Sequence, residues 1–231
     1  MSTANYGDPN YWNIRYANCE GDMFDWLENY ESLKSLLELY IKKEHRILIT
    51  GCGNARFSED LYDAGYTNIW NIDISEVVIR QMKKRNKERS NMYYEVMDVC
   101  DLKYPDNFFD IVIDKSIIDT LLCGNNAFVY TALMLKEGQR VIKENGGIYF
   151  AISYGTPATR TFHFQRDFLS WSVKEYVLHP DKKDLTEKER QEKTHYAFVC
   201  EKNEKWREVN ICYFEKDIIK LILHDKTQAE L

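Results

Sequence analysis

Residues 47–57 read ILITGCGNARF, in which a β-favouring run meets two glycines and then a helix-forming segment. A strand that ends in G-x-G and turns into a helix presents backbone N–H groups to the anionic or polar part of a cofactor. It also commits the chain to an α/β arrangement. The residues that follow continue the alternation. Strands are expected at 46–50, 68–74, 92–98, 108–114 and 146–153. Helices are expected at 55–65 with Gly65 as the stop, at 76–89 with Ser75 as the cap, and at 127–144. Gly138 reads as a weak point inside the last of these. Five strands with helical crossovers predict a doubly wound, largely parallel sheet.

Two further strands are expected at 171–180 and 195–203, with the charged stretch 182–193 between them. That stretch reads as a loop or a short exposed helix, which suits an antiparallel hairpin and gives seven strands with an antiparallel close. Before the first strand, Leu33, Leu36, Leu37 and Tyr40 fall at helical spacing. The chain therefore divides into a helical preface, 1–45, and an α/β unit, 46–231, within one domain, as 231 residues suit.

The net charge of −6 argues against a nucleic-acid reader and suits a small-molecule enzyme or one acting on a basic protein. The basic run KKRNKER at 83–89 reads as a solvated helix end. Aromatics reach 14%, which serves either the core or an aromatic-walled pocket. The six cysteines lack metal and thioredoxin spacings, so reduced, mostly buried thiols and no metal are expected. MSTANYGDPNYW lacks the apolar core of a signal peptide, and no apolar run approaches the roughly 18–20 residues of a membrane span. A cytoplasmic setting without a membrane or nucleic-acid partner is expected.

The glycine loop has three candidate ligands. The phosphate-binding loop needs G-x-x-x-x-G-K-[ST], and here Arg56 and Phe57 stand where Gly and Lys are required. The dinucleotide fingerprint needs a third glycine for close helix–strand packing, and that position is again Arg56. The third candidate is S-adenosylmethionine, which has no phosphates but still lies close to the backbone. Asp73 follows Gly53 by 20 residues at a strand end, where a carboxylate accepts from both ribose hydroxyls. Asp98 ends the third strand, placed for the adenine amino group, with the Val99 N–H directed to the ring. Asp114 and Lys115 end the fourth, near the reacting end, because ligands bind outside the carboxyl ends of such strands.

In this order GCGN, NIDIS, YEVMDVCDL, FDIVIDKSIIDTLL and NGGIYFAIS resemble a class I S-adenosylmethionine-dependent methyltransferase with a Rossmann-like sheet. YWNIRY at 11–16 and FDWLENY at 24–30 narrow the resemblance. They are similar to the branch of the elongation factor 1-alpha lysine methyltransferases and the methyltransferase joined to endothelin-converting enzyme 2. The resemblance covers residues 11 to about 172. It implies that Trp12, Tyr16 and Trp26 close over the cofactor as a lid, and that Gly51 and Gly53 form the loop beneath it. It implies too that Asp73 and Ile74 hold the ribose and adenine side, Asp98 and Val99 the adenine, and that Lys115 lies beside the cofactor.

DKSIIDT departs from the branch's acidic-K-G-T-L-D pattern, with Ser116 and Ile117 in place of glycine and threonine. SYGTPATR offers Tyr154, Pro157 and Arg160 as substrate-side residues. Asp114 or Tyr154 is expected to line the acceptor channel as the catalytic side chain. The product would be S-adenosylhomocysteine. The expected acceptor is a lysine of a basic protein such as a translation factor; an amine, thiol or hydroxyl of a small molecule is the alternative.

Overall fold

The computed structural model describes residues 6, 8–19, 21–178, 186, 188–189, 193–203 and 209–229. Seven strands form one sheet in the order β3-β2-β1-β4-β5-β7-β6. They are β1 (Ile47–Thr50), β2 (Ile69–Asp73), β3 (Met92–Val96), β4 (Ile111–Lys115), β5 (Ile148–Ser153), β6 (Trp171–Leu178) and β7 (His195–Lys202). The first five are parallel to one another, and β7 pairs antiparallel with both β5 and β6. The doubly wound sheet with an antiparallel last strand is therefore as the sequence predicts. The segment between β6 and β7 lies largely outside the described residues.

The central strands are apolar on both faces because helices cover both. Ile47, Ile49, Phe150 and Ile152 face one core. On that side lie α1 (Pro9–Asn18), α2 (Tyr30–Leu37), α3 (Phe57–Asp63) and α4 (Glu76–Arg85), which bring in Tyr16, Leu33, Phe57 and Met82. Leu48, Val112, Tyr149 and Ala151 point the other way. There they meet α5 (Ile117–Leu122), α6 (Ala127–Val141) and α7 (Pro157–Phe164). The final helix α8 (Val209–Ala229) packs on α6, with Leu221 beside Ala132 and Phe168. Helices α5, α7 and α8 add to those read from the pattern. For α7 the signal was present, since Pro157 sits in the first turn, where a missing N–H costs nothing.

Three expectations change. Helix α6 ends at Val141, where Ile142 turns extended. Gly138 is no weak point: a Cβ there would lie 2.5 Å from the buried Tyr149 ring. Gly138→Ala is therefore expected to destabilise by about 1–3 kcal/mol through overpacking, against the gain of about 1 kcal/mol that alanine brings to an open helix. Urea denaturation measures the sign. Of the five cysteines described, all free, only Cys52 and Cys200 are buried.

Candidate functional site

Parallel pairing brings the ends of β1, β2, β3, β4 and β5 to one edge. Ser75 caps α4 through Val78 N–H at 3.4 Å, so the chain turns sharply after Asp73. Gly51 and Gly53 have φ of +57° and +54°, a region glycine enters without cost. A Cβ on Gly51 would strike Ile117, and one on Gly53 would lie 2.9 Å from the Tyr16 hydroxyl. Neither position therefore has room for a side chain. Asp73 sits beside it: Oδ2 accepts from Gly53 N–H at 3.0 Å and Oδ1 from Ser75 N–H at 2.9 Å. Burial pushes its pKa up to about 6 although the backbone donors pull the other way. A carboxylate has about four acceptor sites, so capacity remains for a pair of hydroxyls.

Asp98 stands exposed past β3, its carboxylate accepting from Cys100 N–H at 2.8 Å. Val99 is half-buried on one core and Ile74 on the other. The structure thus lines up Gly51, Gly53, Asp73, Ile74, Asp98 and Val99 along successive strand ends.

The preface folds over the same edge. Trp12 and Tyr16, one turn apart on α1, stack with centroids 5.9 Å apart. Asn13 on the same helix accepts from Ser75 Oγ at 2.6 Å, which seats α1 over the end of β2. Segment 22–29 then crosses as a strap. Asn54, in the glycine loop, donates from Nδ2 to Asp22 O at 2.6 Å. Lys115 is ion-paired with Asp25 and donates to Trp26 O at 2.7 Å. Burial lowers the Lys115 pKa, and the carboxylates of Asp25 and Glu28 oppose the shift. Trp26 itself is 39% exposed, with the Arg15 guanidinium 5.4 Å from its ring centroid.

Arg85 was concealed in the basic run. It is no solvated cation: its guanidinium donates to Asn54 O at 3.1 Å and Ala55 O at 3.0 Å, and its Nε meets the buried Glu59 at 2.5 Å. It holds the glycine loop from below. Pairing across 26 residues leaves no local sequence signal.

At the reacting end, the two side chains expected to be catalytic part company. Asp114 is fully buried. It accepts from Ile117 N–H at 2.8 Å and Tyr149 Oη–H at 3.0 Å, capping the turn into α5 from beneath the site. Ser116, in that turn, has φ of +70°, a region that glycine enters without strain. Tyr154 instead lies on the rim, 58% exposed. Asp119, which sequence reading passed over, organises this rim by accepting from Ser153 Oγ at 2.5 Å, Tyr154 N–H at 2.9 Å and the Arg160 guanidinium at 3.0 Å. Pro157 starts α7 and faces no described polar partner, as its ring requires.

A family profile described as a methyltransferase domain matches residues 41–225. The chain belongs to the methyltransferase domain family. Its methyl donor is S-adenosylmethionine, which the glycine loop with Asp73 at its side fits. The mouse eEF1A lysine and N-terminal methyltransferase is 36% identical over 208 residues, 87% of this chain. This chain spans only 29% of that relative's length. The mouse EEF1A lysine methyltransferase 4 is 30% identical over 73% of this chain and 69% of its own length. Among solved structures, N-methyltransferase NodS from Bradyrhizobium japonicum, in complex with S-adenosyl-l-homocysteine, superposes with a TM-score of 0.61. It shares 12% identity and covers 83% of this chain and 98% of its own. The putative methyltransferase complexed with the Haloferax volcanii Trm112 activator gives 0.62 at 14% identity, covering 84% and 98%. These two share the methyltransferase fold.

Within this domain the buried Asp114 has a consequence for stability. Burial pushes its pKa up to about 7, with the donors from Ile117 and Tyr149 opposing. A carboxyl raised on folding contributes stability that is fully present below its unfolded value, about 3.9, and lost as pH rises through about 7. The protein is therefore expected to melt lower at pH 8 than at pH 5. Asp114→Asn keeps an acceptor for the α5 turn and is expected to flatten most of that slope, on the order of 3 kcal/mol. Asp73 would account for the remainder, at lower pH. Thermal melts across pH 4–9 check both.

Proposed function

We propose that this methyltransferase transfers a methyl group to a lysine side chain of a protein, with elongation factor 1-alpha as the acceptor. The observation that carries the reading is the 36% identity with the eEF1A lysine and N-terminal methyltransferase over 87% of this chain. The rim supports it. Phe24 and Trp26 of the strap, packed edge to face, and Tyr154 beyond β5 are exposed aromatics suited to contacting a substrate. The net charge of −6 favours docking of a basic partner. No helix among the described residues is long and apolar enough to cross a membrane.

In this reading Asp73 and Ile74 hold the ribose side of S-adenosylmethionine, Asp98 and Val99 the adenine, and Gly51 and Gly53 the backbone floor. Trp12, Tyr16 and Trp26 act as the lid, with Lys115 anchoring its strap. The donor supplies an activated methyl on a sulfonium. What remains for the chain is to align the acceptor nitrogen, exclude water and remove a proton from an ammonium whose free pKa is about 10.4. Incubation with labelled donor and the purified factor tests the proposal. A labelled factor, with the methyl mapped to a lysine by mass spectrometry, is expected. Label in a metabolite alone would sink it.

A further inference from the structure

A histidine–carboxylate pair stands at the acceptor end and has no part in the cofactor cradle. β7 runs antiparallel to β5, so its first residues lie where β5 ends, with Tyr196 opposite Ser153. His195 Nδ1–H donates to Glu28 Oε1 at 2.7 Å, and each side chain is 14% exposed. Glu28 belongs to the strap that Lys115 ties down through Asp25 and Trp26. The Tyr154 ring is 6.2 Å from the imidazole, and its backbone is fixed by Asp119, itself paired with Arg160. The groups that reach the pair are Ser32 and Lys115, which act on Glu28, and Tyr154, whose ring lies beside His195. Burial alone would raise the Glu28 pKa, but the His195 and Ser32 contacts and the nearby Lys115 charge outweigh it, so the carboxyl stays ionised. An ionised partner keeps the proton on Nδ1 and leaves the Nε2 lone pair available.

We propose that His195, oriented by Glu28, is the proton acceptor for the methyl-accepting amine, at a position walled by Tyr154. The proposal rests on the amine-acceptor reading above. The acceptor ammonium gives one proton to Nε2, which makes the imidazole cationic and leaves a lone pair on the amine nitrogen. That pair forms the N–C bond while the donor's C–S bond breaks and its electrons remain on sulfur. The imidazolium then returns its proton to solvent. His195 is the catalytic residue in this scheme and Glu28 a positioning residue.

The test uses the full chain and its protein acceptor. His195→Gln is expected to reduce kcat/KM by about 100-fold or more at pH 7. Its rate should climb steadily with pH, as solvent takes over the deprotonation. Glu28→Gln keeps an acceptor for Nδ1–H but removes the charge, so the acidic limb of the pH–rate profile should move to lower pH. One readout needs no turnover. Calorimetry should give His195→Gln the wild-type affinity for S-adenosylhomocysteine. A folded His195→Gln enzyme with wild-type rate and pH profile overturns the role of His195. An acidic limb that does not move in Glu28→Gln overturns that of Glu28. If wild-type protein labels no amine, the underlying reading fails and the proposal with it.

Discussion

Asp73→Ala is expected to abolish measurable binding of S-adenosylmethionine and S-adenosylhomocysteine. Asp73 lies 6% exposed at the end of β2, its oxygens already oriented by Gly53 and Ser75 N–H groups. Hydrogen bonds to a charged acceptor contribute about 1.5–3 kcal/mol each. Two ribose hydroxyls would therefore place the loss at roughly 10²–10⁴-fold in Kd. The wild-type protein adds a second readout. Its Asp73 pKa is pushed up to about 6 by burial, so the free protein takes up a proton there as pH falls. Binding that needs the carboxylate should weaken by up to tenfold for each pH unit below about 6 and level off above it. Isothermal calorimetry between pH 5 and 8 measures both. Near-normal affinity in the variant would remove the ribose assignment.

Arg85→Ala is expected to lower both stability and cofactor affinity. The guanidinium joins two carbonyls of the glycine loop to Glu59, which is itself buried and also accepts from Asn86. Its removal strands a buried carboxylate and frees the loop. Breaking a buried ion pair costs about 3–5 kcal/mol, and the Arg85 side chain, 30% exposed, belongs at the low end of that range, about 3 kcal/mol. Arg85→Lys should recover the charge but not the fork that spans Asn54 O and Ala55 O. It is therefore expected to regain stability more than affinity. Urea denaturation and calorimetry separate the two, and equal recovery in both would argue against a role in shaping the loop.

These two residues differ in how they announce themselves. Asp73 was legible because strand, glycine loop and carboxylate recur at a spacing set by one β-α-β unit. Arg85 was not, because its partners are reached by tertiary packing of α4 under the loop, and a run of lysines and arginines reads as solvated until one of them is seen to turn inward. Asp114 shows the converse. Its position at the end of β4 suggested a catalytic carboxylate, but side chains alternate across a strand, and its side chain points away from the rim to cap α5. Asp119 and the Glu28–His195 pair escaped notice for the same reason as Arg85: their partners lie 34, 35 and 167 residues away.

The sequence by itself determined the doubly wound sheet, its glycine cradle and the order of polar residues along the strand ends. Local periodicity and turn chemistry act within a few residues, and parallel pairing then brings those ends to one edge. Tertiary structure alone decided which charges are used. Desolvation and pairing depend on neighbours distant in the chain, and these separate Asp114 beneath the site from Tyr154 on its rim, and Arg85 and Arg89, paired with Glu59 and Asp63, from the exposed Lys83, Lys84 and Lys87.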